Sequence, residues 1–118
     1  MTKLIVYAYK NCDTCRKALK YLHARGVEYE VAPIRETPPT KTELARALKA
    51  YGGDVRRLFN TSGGDYKSLN IKERIATMTP QEAIALLASN GNLVKRPFVI
   101  GPGLVLVGFR EEEWEKTV

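Results

Sequence analysis

The stretch that decides the fold is residues 3–34, KLIVYAYKNCDTCRKALKYLHARGVEYEVAPI. It begins with a run rich in Ile, Val and Tyr over residues 3–9, which is typical of a buried strand. After a short polar break, apolar residues recur at helical spacing, and Gly26 is well placed to end that helix. Apolar and polar residues then alternate over 27–34, which indicates a second strand. A strand–helix–strand unit of this kind implies that its two strands run parallel.

The middle of the chain, about residues 40–91, is predicted to be helical. Two segments carry a helix-start signal, a threonine followed three residues later by a glutamate, at Thr40 and at Thr79. The composition of residues 60–65 predicts a loop, and a brief helix is predicted over 71–76.

The C-terminal part supplies two more strands and a helix. Residues 98–100 and 104–107 flank the turn sequence GPG, and this spacing predicts an antiparallel hairpin. A last helix is predicted over 110–116. The resulting order describes an α/β protein with a mixed four-stranded sheet and a helical insertion after the second strand, which resembles the thioredoxin-like fold. Since 118 residues suffice for one core but not for two, we expect residues 1–118 to form a single domain.

Two cysteines, Cys12 and Cys15, stand in the sequence NCDTCR between the first strand and the first helix. The unpaired N–H groups and the positive dipole end of a helix favour the thiolate of Cys12, and the thiolate is the nucleophilic form. Cys15 lies on the same face of the first turn, where it can resolve a mixed disulfide formed on Cys12. The alternative is that both are small buried apolar residues. Their position in a polar turn favours the redox interpretation.

The composition argues against several other classes of protein. A structural zinc site normally needs four ligands, and His23 is the only histidine, so we expect no metal and no bound cofactor. The longest apolar runs are too short to span a bilayer and the N-terminus lacks a secretory signal, so we expect a cytoplasmic protein without membrane contact. The net charge of +6 suggests an anionic partner. Without a base-reading motif, direct nucleic-acid binding is not expected.

Arg96 and Pro97 immediately precede the third predicted strand. In the thioredoxin architecture a cis-proline occupies this position and brings its backbone beside the active thiol. We therefore predict a cis bond between Arg96 and Pro97, although an ordinary strand-entry proline is the commoner case. Arg96 could then bind an anionic substrate, the alternative being a solvated side chain. Trp114 is predicted to anchor the final helix by packing.

With these residues in view, the chain resembles the ArsC-type arsenate reductase family, and within it the Spx/YffB-like branch. The markers extend over nearly the whole chain: KNCDTCRKA at 10–18, LFNTSG at 58–63, RP at 96–97 and VGF at 107–109. The resemblance implies a thioredoxin-like fold with a helical insertion. It also implies that Cys12 is the nucleophile and that Arg96 is one of the arginines that hold an oxyanion.

The family's anion site is matched only in part. Where the reductases carry a further arginine this chain has Asn60, with Arg56 and Arg57 close in sequence. The last family arginine is also missing, and Arg110 is only its neighbour. Cys15 replaces a residue that is not cysteine in glutathione-coupled arsenate reductases. These departures make arsenate reduction the least favoured of three functions.

The first hypothesis is a thiol-disulfide oxidoreductase in which Cys12 attacks and Cys15 resolves. A small thiol or a protein disulfide would be the substrate, and glutathione would serve as a co-substrate rather than as a bound cofactor. The expected substrate contacts are Asn11, Arg16, Arg96 and Pro97.

The second hypothesis follows from the likeness to Spx-type regulators. It is a redox-sensing transcription regulator that binds the α subunit of RNA polymerase and catalyses nothing. Gly52 or Gly53 and Arg96 lie where that resemblance places interaction and switch residues.

Overall fold

The computed structural model of the protein describes residues 3–118, and its strands and helices follow the predicted order. The strands are β1 (Leu4–Ala8), β2 (Tyr29–Pro33), β3 (Phe98–Gly101) and β4 (Leu104–Val107). The helices are α1 (Asp13–Ala24), α2 (Lys41–Ala50), α3 (Gly64–Ser68), α4 (Ile71–Arg74), α5 (Pro80–Ser89) and α6 (Glu111–Glu115). Short 3₁₀ turns cover Val55–Leu58, Ile75–Thr77 and Gly91–Leu93.

The strands form a four-stranded mixed sheet in the order β2–β1–β3–β4. β1 pairs in parallel with β2, where Val6 lies opposite Val31, and antiparallel with β3, where Val6 lies opposite Val99. β3 and β4 form the predicted antiparallel hairpin, in which Gly101 pairs with Leu104. The α/β fold with a mixed sheet and a helical insertion after the second strand is therefore confirmed.

The insertion consists of α2 to α5, which lie between β2 and β3. Both predicted helix starts form a capping box. The Thr40 hydroxyl accepts a hydrogen bond from the Glu43 N–H at 3.1 Å, and the Glu43 carboxylate accepts one from the Thr40 N–H at 3.0 Å. Thr79 and Glu82 repeat this arrangement at the start of α5. Local sequence therefore fixes where the two longest helices of the insertion begin.

The predicted loop at residues 60–65 is wrong at its C-terminal end, because α3 begins at Gly64. The polar, glycine-rich composition that indicated a loop does not reveal a helix of five residues. Tyr66, which is buried against Phe59 with its ring centroid 6.2 Å away, holds this short helix to the core. Packing rather than local propensity thus stabilises α3.

Side chains of the sheet alternate between two apolar layers. On one side Leu4, Val6 and Ala8 of β1 pack in the same cluster as Cys15 and Trp114, from α1 and α6. On the other side, Tyr7 and Phe98 pack against the residues of the helical insertion, with their rings edge to face at 5.9 Å. The helix that carries the cysteines is therefore fixed to the sheet by its own buried layer.

Gly91 lies against the backbone that follows β2. A Cβ atom at this position would lie 1.8 Å from the carbonyl oxygen of Ile34 and 3.1 Å from the Cα of Arg35. Because both neighbours are backbone atoms, Gly91→Ala is expected to lower the free energy of unfolding by about 1–3 kcal/mol through overpacking. Urea unfolding followed by circular dichroism measures this loss.

Gly64→Ala is the matched control for this prediction. A Cβ on Gly64 would meet nothing within 4 Å, and Gly64 is the first residue of α3. Alanine there should leave the unfolding free energy unchanged or raise it by no more than about 1 kcal/mol. Equal stability of the Gly91 and Gly64 variants would contradict a tight contact at Ile34.

Candidate functional site

Cys12 occupies the N-cap position of α1, as the sequence predicts. Its backbone is extended, and its sulfur accepts a hydrogen bond from the N–H of Cys15 at 3.3 Å. The Cys12 N–H is itself bound to the carbonyl of Tyr9 at 3.1 Å, which fixes the turn between β1 and α1. The side chain is half-buried. A donor at a helix N-terminus and partial exposure are what a nucleophilic thiolate needs.

Cys15 lies one turn further along α1 and is only 1% exposed. It packs in the apolar layer that contains Ala18, Leu22 and Trp114. Burial, and after it the contact with the Cys12 side chain, raises the pKa of the Cys15 thiol well above its usual range. The two cysteines are therefore unequal: the accessible sulfur is that of Cys12, while Cys15 is protected and is protonated at neutral pH.

The burial bears on the alternative that both cysteines are merely apolar core residues. Cys15 has the burial of a core residue, but Cys12 is half-buried and its sulfur is engaged at the helix start. Both are free thiols. The arrangement places an accessible thiol next to a buried partner, which is the order required for attack by Cys12 and resolution by Cys15.

Arg96 and Pro97 lie at the entrance to β3, and the peptide bond between them is cis, as predicted. Pro97 is buried, and its carbonyl accepts a hydrogen bond from the N–H of Gly108 at 2.8 Å. Burial chiefly raises the pKa of Cys15, and the positive charge of Arg96 counteracts a small part of that rise. Its guanidinium lies 5.1 Å from the centre of the Tyr9 ring.

Asn11 and Arg16 flank the cysteines, and both side chains are exposed. The amide of Asn11 donates a hydrogen bond to the Tyr9 hydroxyl at 3.3 Å, whereas Arg16 pairs with Asp13 on the same helix. Arg16 and Cys15 line a mainly apolar cavity of about 400 Å³. Tyr9 connects the two predicted contact residues, because it accepts the hydrogen bond from Asn11 and also lines the cavity beside Arg16.

Tyr9 and Arg35 are neighbours of the cysteine turn that sequence reasoning missed. The Arg35 guanidinium lies 4.8 Å from the centre of the Tyr9 ring. The hydrogen bond from Asn11, and after it the positive charge of Arg35, lowers the pKa of the Tyr9 hydroxyl. The sequence pattern predicts only that Tyr9 belongs to a strand, and no spacing rule connects it with Arg35, which follows β2.

Arg57 and Arg110 are close in sequence to positions where the resemblance to the family implies an arginine. Arg57 forms an ion pair with Glu113 at 3.6 Å and lies over the Tyr51 ring at 4.3 Å. Arg57 and Arg110 also line a cavity of about 230 Å³ that reaches Thr14, between the two cysteines. Both arginines therefore lie near the first turn of α1.

Within residues 3–118, no group of three or more His, Cys, Asp or Glu side chains is arranged to hold a metal ion. No helix in that same part of the chain is long and apolar enough to cross a membrane.

A mixed sheet of this topology, with a Cys-x-x-Cys pair at the start of α1, defines a thioredoxin-like protein. The model of the ArsC family matches residues 7–117. The chain therefore belongs to the ArsC family, as its motifs predicted.

The chain is similar to several other proteins over almost its whole length. The chain is 43% identical over 114 residues to the protein YusI of Bacillus subtilis, and the match covers 97% of both chains. The crystal structure of an ArsC-family-related protein from Bacteroides fragilis matches with a TM-score of 0.89 and 46% identity, over 96% of this chain and 95% of that one.

More distant relatives carry two kinds of name. The regulatory protein MgsR of Bacillus subtilis is 27% identical, over 94% of this chain and 86% of its own. An arsenate reductase of Escherichia coli is 28% identical, over 86% of this chain and 71% of its own. The chain is thus similar both to regulators and to reductases of one family.

Proposed function

We propose that the protein is a thiol-disulfide oxidoreductase of the cytoplasm, with glutathione or a similar small thiol as co-substrate. The observation that carries this proposal is the inequality of the two thiols. Cys12 is half-buried at the N-cap of α1, and Cys15 is buried one turn below it. A site that only stored a structural disulfide would have no need of an accessible sulfur at a helix N-terminus.

The reaction consists of two thiol–disulfide exchanges and one reduction. The Cys12 thiolate attacks a disulfide RS–SR′, forms a mixed disulfide with RS and releases R′S⁻, which takes up a proton. Cys15 then loses its proton, attacks the Cys12 sulfur and releases RS⁻. Two molecules of the small thiol reduce the resulting Cys12–Cys15 disulfide and leave as their own disulfide. Overall, one substrate disulfide is reduced to two thiols and two co-substrate thiols are oxidised.

The surroundings of the pair support substrate binding on the side of Arg96. Arg96 lies over the ring of Tyr9, whose carbonyl binds the Cys12 N–H, and Asn11 is exposed and donates to the Tyr9 hydroxyl. Charged and amide donors next to an attacking thiolate are suited to a polar peptide disulfide. Arg16, in its ion pair with Asp13 beside the apolar cavity, is suited to the remaining part of a larger substrate.

A steady-state comparison of three substrates tests the proposal. A glutathione mixed disulfide, a protein disulfide and arsenate are each supplied with glutathione, and oxidised glutathione is measured with glutathione reductase and NADPH. We expect turnover of at least one disulfide and negligible turnover of arsenate, since Asn60 stands where the family carries an arginine. Failure to reduce either disulfide would reject the oxidoreductase. Arsenite production that requires Cys12 would show instead that Arg56, Arg57 or Arg110 substitutes for the missing family arginines.

The second candidate function is a redox-sensing transcription regulator that contacts RNA polymerase. It is favoured by the similarity to MgsR and by the exposed turn at Gly52 and Gly53, which have φ of +68° and +82°. A pull-down of the polymerase α subunit with oxidised and with reduced protein distinguishes this function. Capture that depends on the redox state and is lost in Gly52→Arg would support the regulator.

A further inference from the structure

Two arginines from distant parts of the chain contact the ring of Tyr9, beside the turn between β1 and α1 that carries Cys12. Arg35 follows β2 and Arg96 precedes β3, and their guanidinium carbons lie 4.8 Å and 5.1 Å from the centre of the Tyr9 ring. Tyr9 is tied to the thiol turn, because its carbonyl binds the Cys12 N–H and its hydroxyl binds the Asn11 amide. The arginine pair is therefore held in a fixed relation to Cys12.

In the part of the chain that the structure describes, neither arginine forms an ion pair with a carboxylate. Among residues 3–118, no Asp or Glu oxygen lies within 4.0 Å of the Arg35 or Arg96 guanidinium. The acidic group in the same cavity is Asp65, and one oxygen of its carboxylate accepts hydrogen bonds from Asn90 and Asn92 at 3.0 Å and 3.3 Å. Arg35 and Arg96 thus bring two positive charges to this cavity. Asp65 brings one negative charge, and one oxygen of its carboxylate already accepts two hydrogen bonds.

The cavity between these groups has a volume of about 200 Å³, and Tyr9, Arg35 and Arg96 are among the residues that line it. That volume suits the end of a small peptide rather than a whole cofactor. Cation–π contact with the tyrosine orders both guanidinium groups before a ligand arrives, so less freedom is lost on binding. An ordered guanidinium offers the paired donors that match the two oxygens of a carboxylate.

We propose that Arg35 and Arg96, ordered by Tyr9, form a subsite that binds a carboxylate of the thiol or disulfide substrate. The ligand class is a small peptide thiol with a free carboxylate, of which glutathione is one example. This inference rests on the proposed oxidoreductase function and deepens it. Arg35 is a binding residue in this scheme and takes no part in the exchange at sulfur.

The experiment uses the full-length protein with Cys15→Ser, so that the reaction stops at the mixed disulfide on Cys12. The rate of its formation is measured by mass spectrometry with oxidised glutathione, the neutral bis(2-hydroxyethyl) disulfide and the cationic cystamine. Arg35→Gln is expected to slow the reaction with oxidised glutathione about tenfold, the size of one charge-assisted hydrogen bond. The neutral disulfide should change less than about twofold, and cystamine should react faster.

Arg25→Gln is the matched control, because Arg25 makes the same kind of contact elsewhere. Its guanidinium lies 4.9 Å from the Tyr21 ring centre, at the C-terminal end of α1 and therefore at the opposite end from Cys12. This variant should leave all three rates unchanged. Arg35→Gln slowing all three disulfides equally would show a structural role for Arg35 and overturn the subsite.

A binding measurement separates failure of the subsite from failure of the proposed function. S-methylglutathione, which cannot exchange, is titrated by calorimetry into protein in which both cysteines are serine, with and without Arg35→Gln. We expect Kd to rise about tenfold in the variant. Weakened binding without any disulfide reaction would keep the subsite and reject the oxidoreductase. An unchanged Kd, or no binding by the parent, would overturn the subsite even if disulfides are reduced.

Discussion

Cys12→Ser is expected to lower kcat/KM for disulfide reduction by at least about 1,000-fold, the largest effect of any single change at this site. A serine hydroxyl at the N-cap of α1 can accept the same hydrogen bond from the Cys15 N–H. It is not ionised at neutral pH, however, and cannot form the mixed disulfide. The fold is retained while the chemistry is lost, and glutathione-coupled turnover measures the loss.

Cys15→Ser is the matched variant, because it likewise replaces one cysteine sulfur of the pair with an oxygen. The first attack should proceed, and the product should remain as one adduct on Cys12, visible in the mass of the intact protein. In the parent protein, limiting iodoacetamide should modify Cys12 before Cys15, because Cys15 is 1% exposed. A stable substrate adduct on Cys15 in the Cys12→Ser variant, or full activity of that variant, would reverse the assigned roles.

The parts of the fold that sequence could predict are those specified by neighbouring residues. The capping threonines Thr40 and Thr79 and the GPG turn each act over a few positions, so the corresponding helices and hairpin were predicted close to their observed bounds. α3 was missed because burial of Tyr66, a tertiary contact, stabilises it. The cis bond at Pro97 was predicted from the architecture and not from local sequence.

The candidate site also contains features that local sequence predicts and features that depend on tertiary contacts. That Cys12 begins a helix followed from the strand-to-helix pattern around it. The depth of Cys15 could not be predicted, since it depends on a layer completed by Trp114 near the end of the chain. The meeting of Arg35 and Arg96 on Tyr9 was equally hidden, because β-sheet order brings together three segments with no shared sequence pattern. Charge clusters built in this way become visible only in three dimensions.

Trp114→Ala should produce the largest loss of stability among the changes considered. The indole is fully buried and lies edge to face with Tyr21 at 5.8 Å and Phe109 at 4.9 Å. Its Nε1–H donates to the Gly108 carbonyl at 3.1 Å, which fixes the end of β4 to α6. Removing a buried tryptophan costs about 3–5 kcal/mol. That is a large fraction of the total for a domain of this size.

Urea unfolding followed by far-ultraviolet circular dichroism is the suitable measurement, because the chain has one tryptophan and the variant loses its fluorescence probe. Trp114→Phe keeps part of the ring but leaves the Gly108 carbonyl without its donor, so its stability should fall between the parent and the alanine variant. Leu69→Ala is the surface control: Leu69 is 40% exposed, and its loss should change the unfolding free energy by only about 0.5 kcal/mol. Because Cys15 shares the layer that Trp114 completes, Trp114→Ala should also expose this thiol, and iodoacetamide should then modify both cysteines. An alanine variant as stable as the Leu69 control, with Cys15 still protected, would show that the indole does not anchor α6.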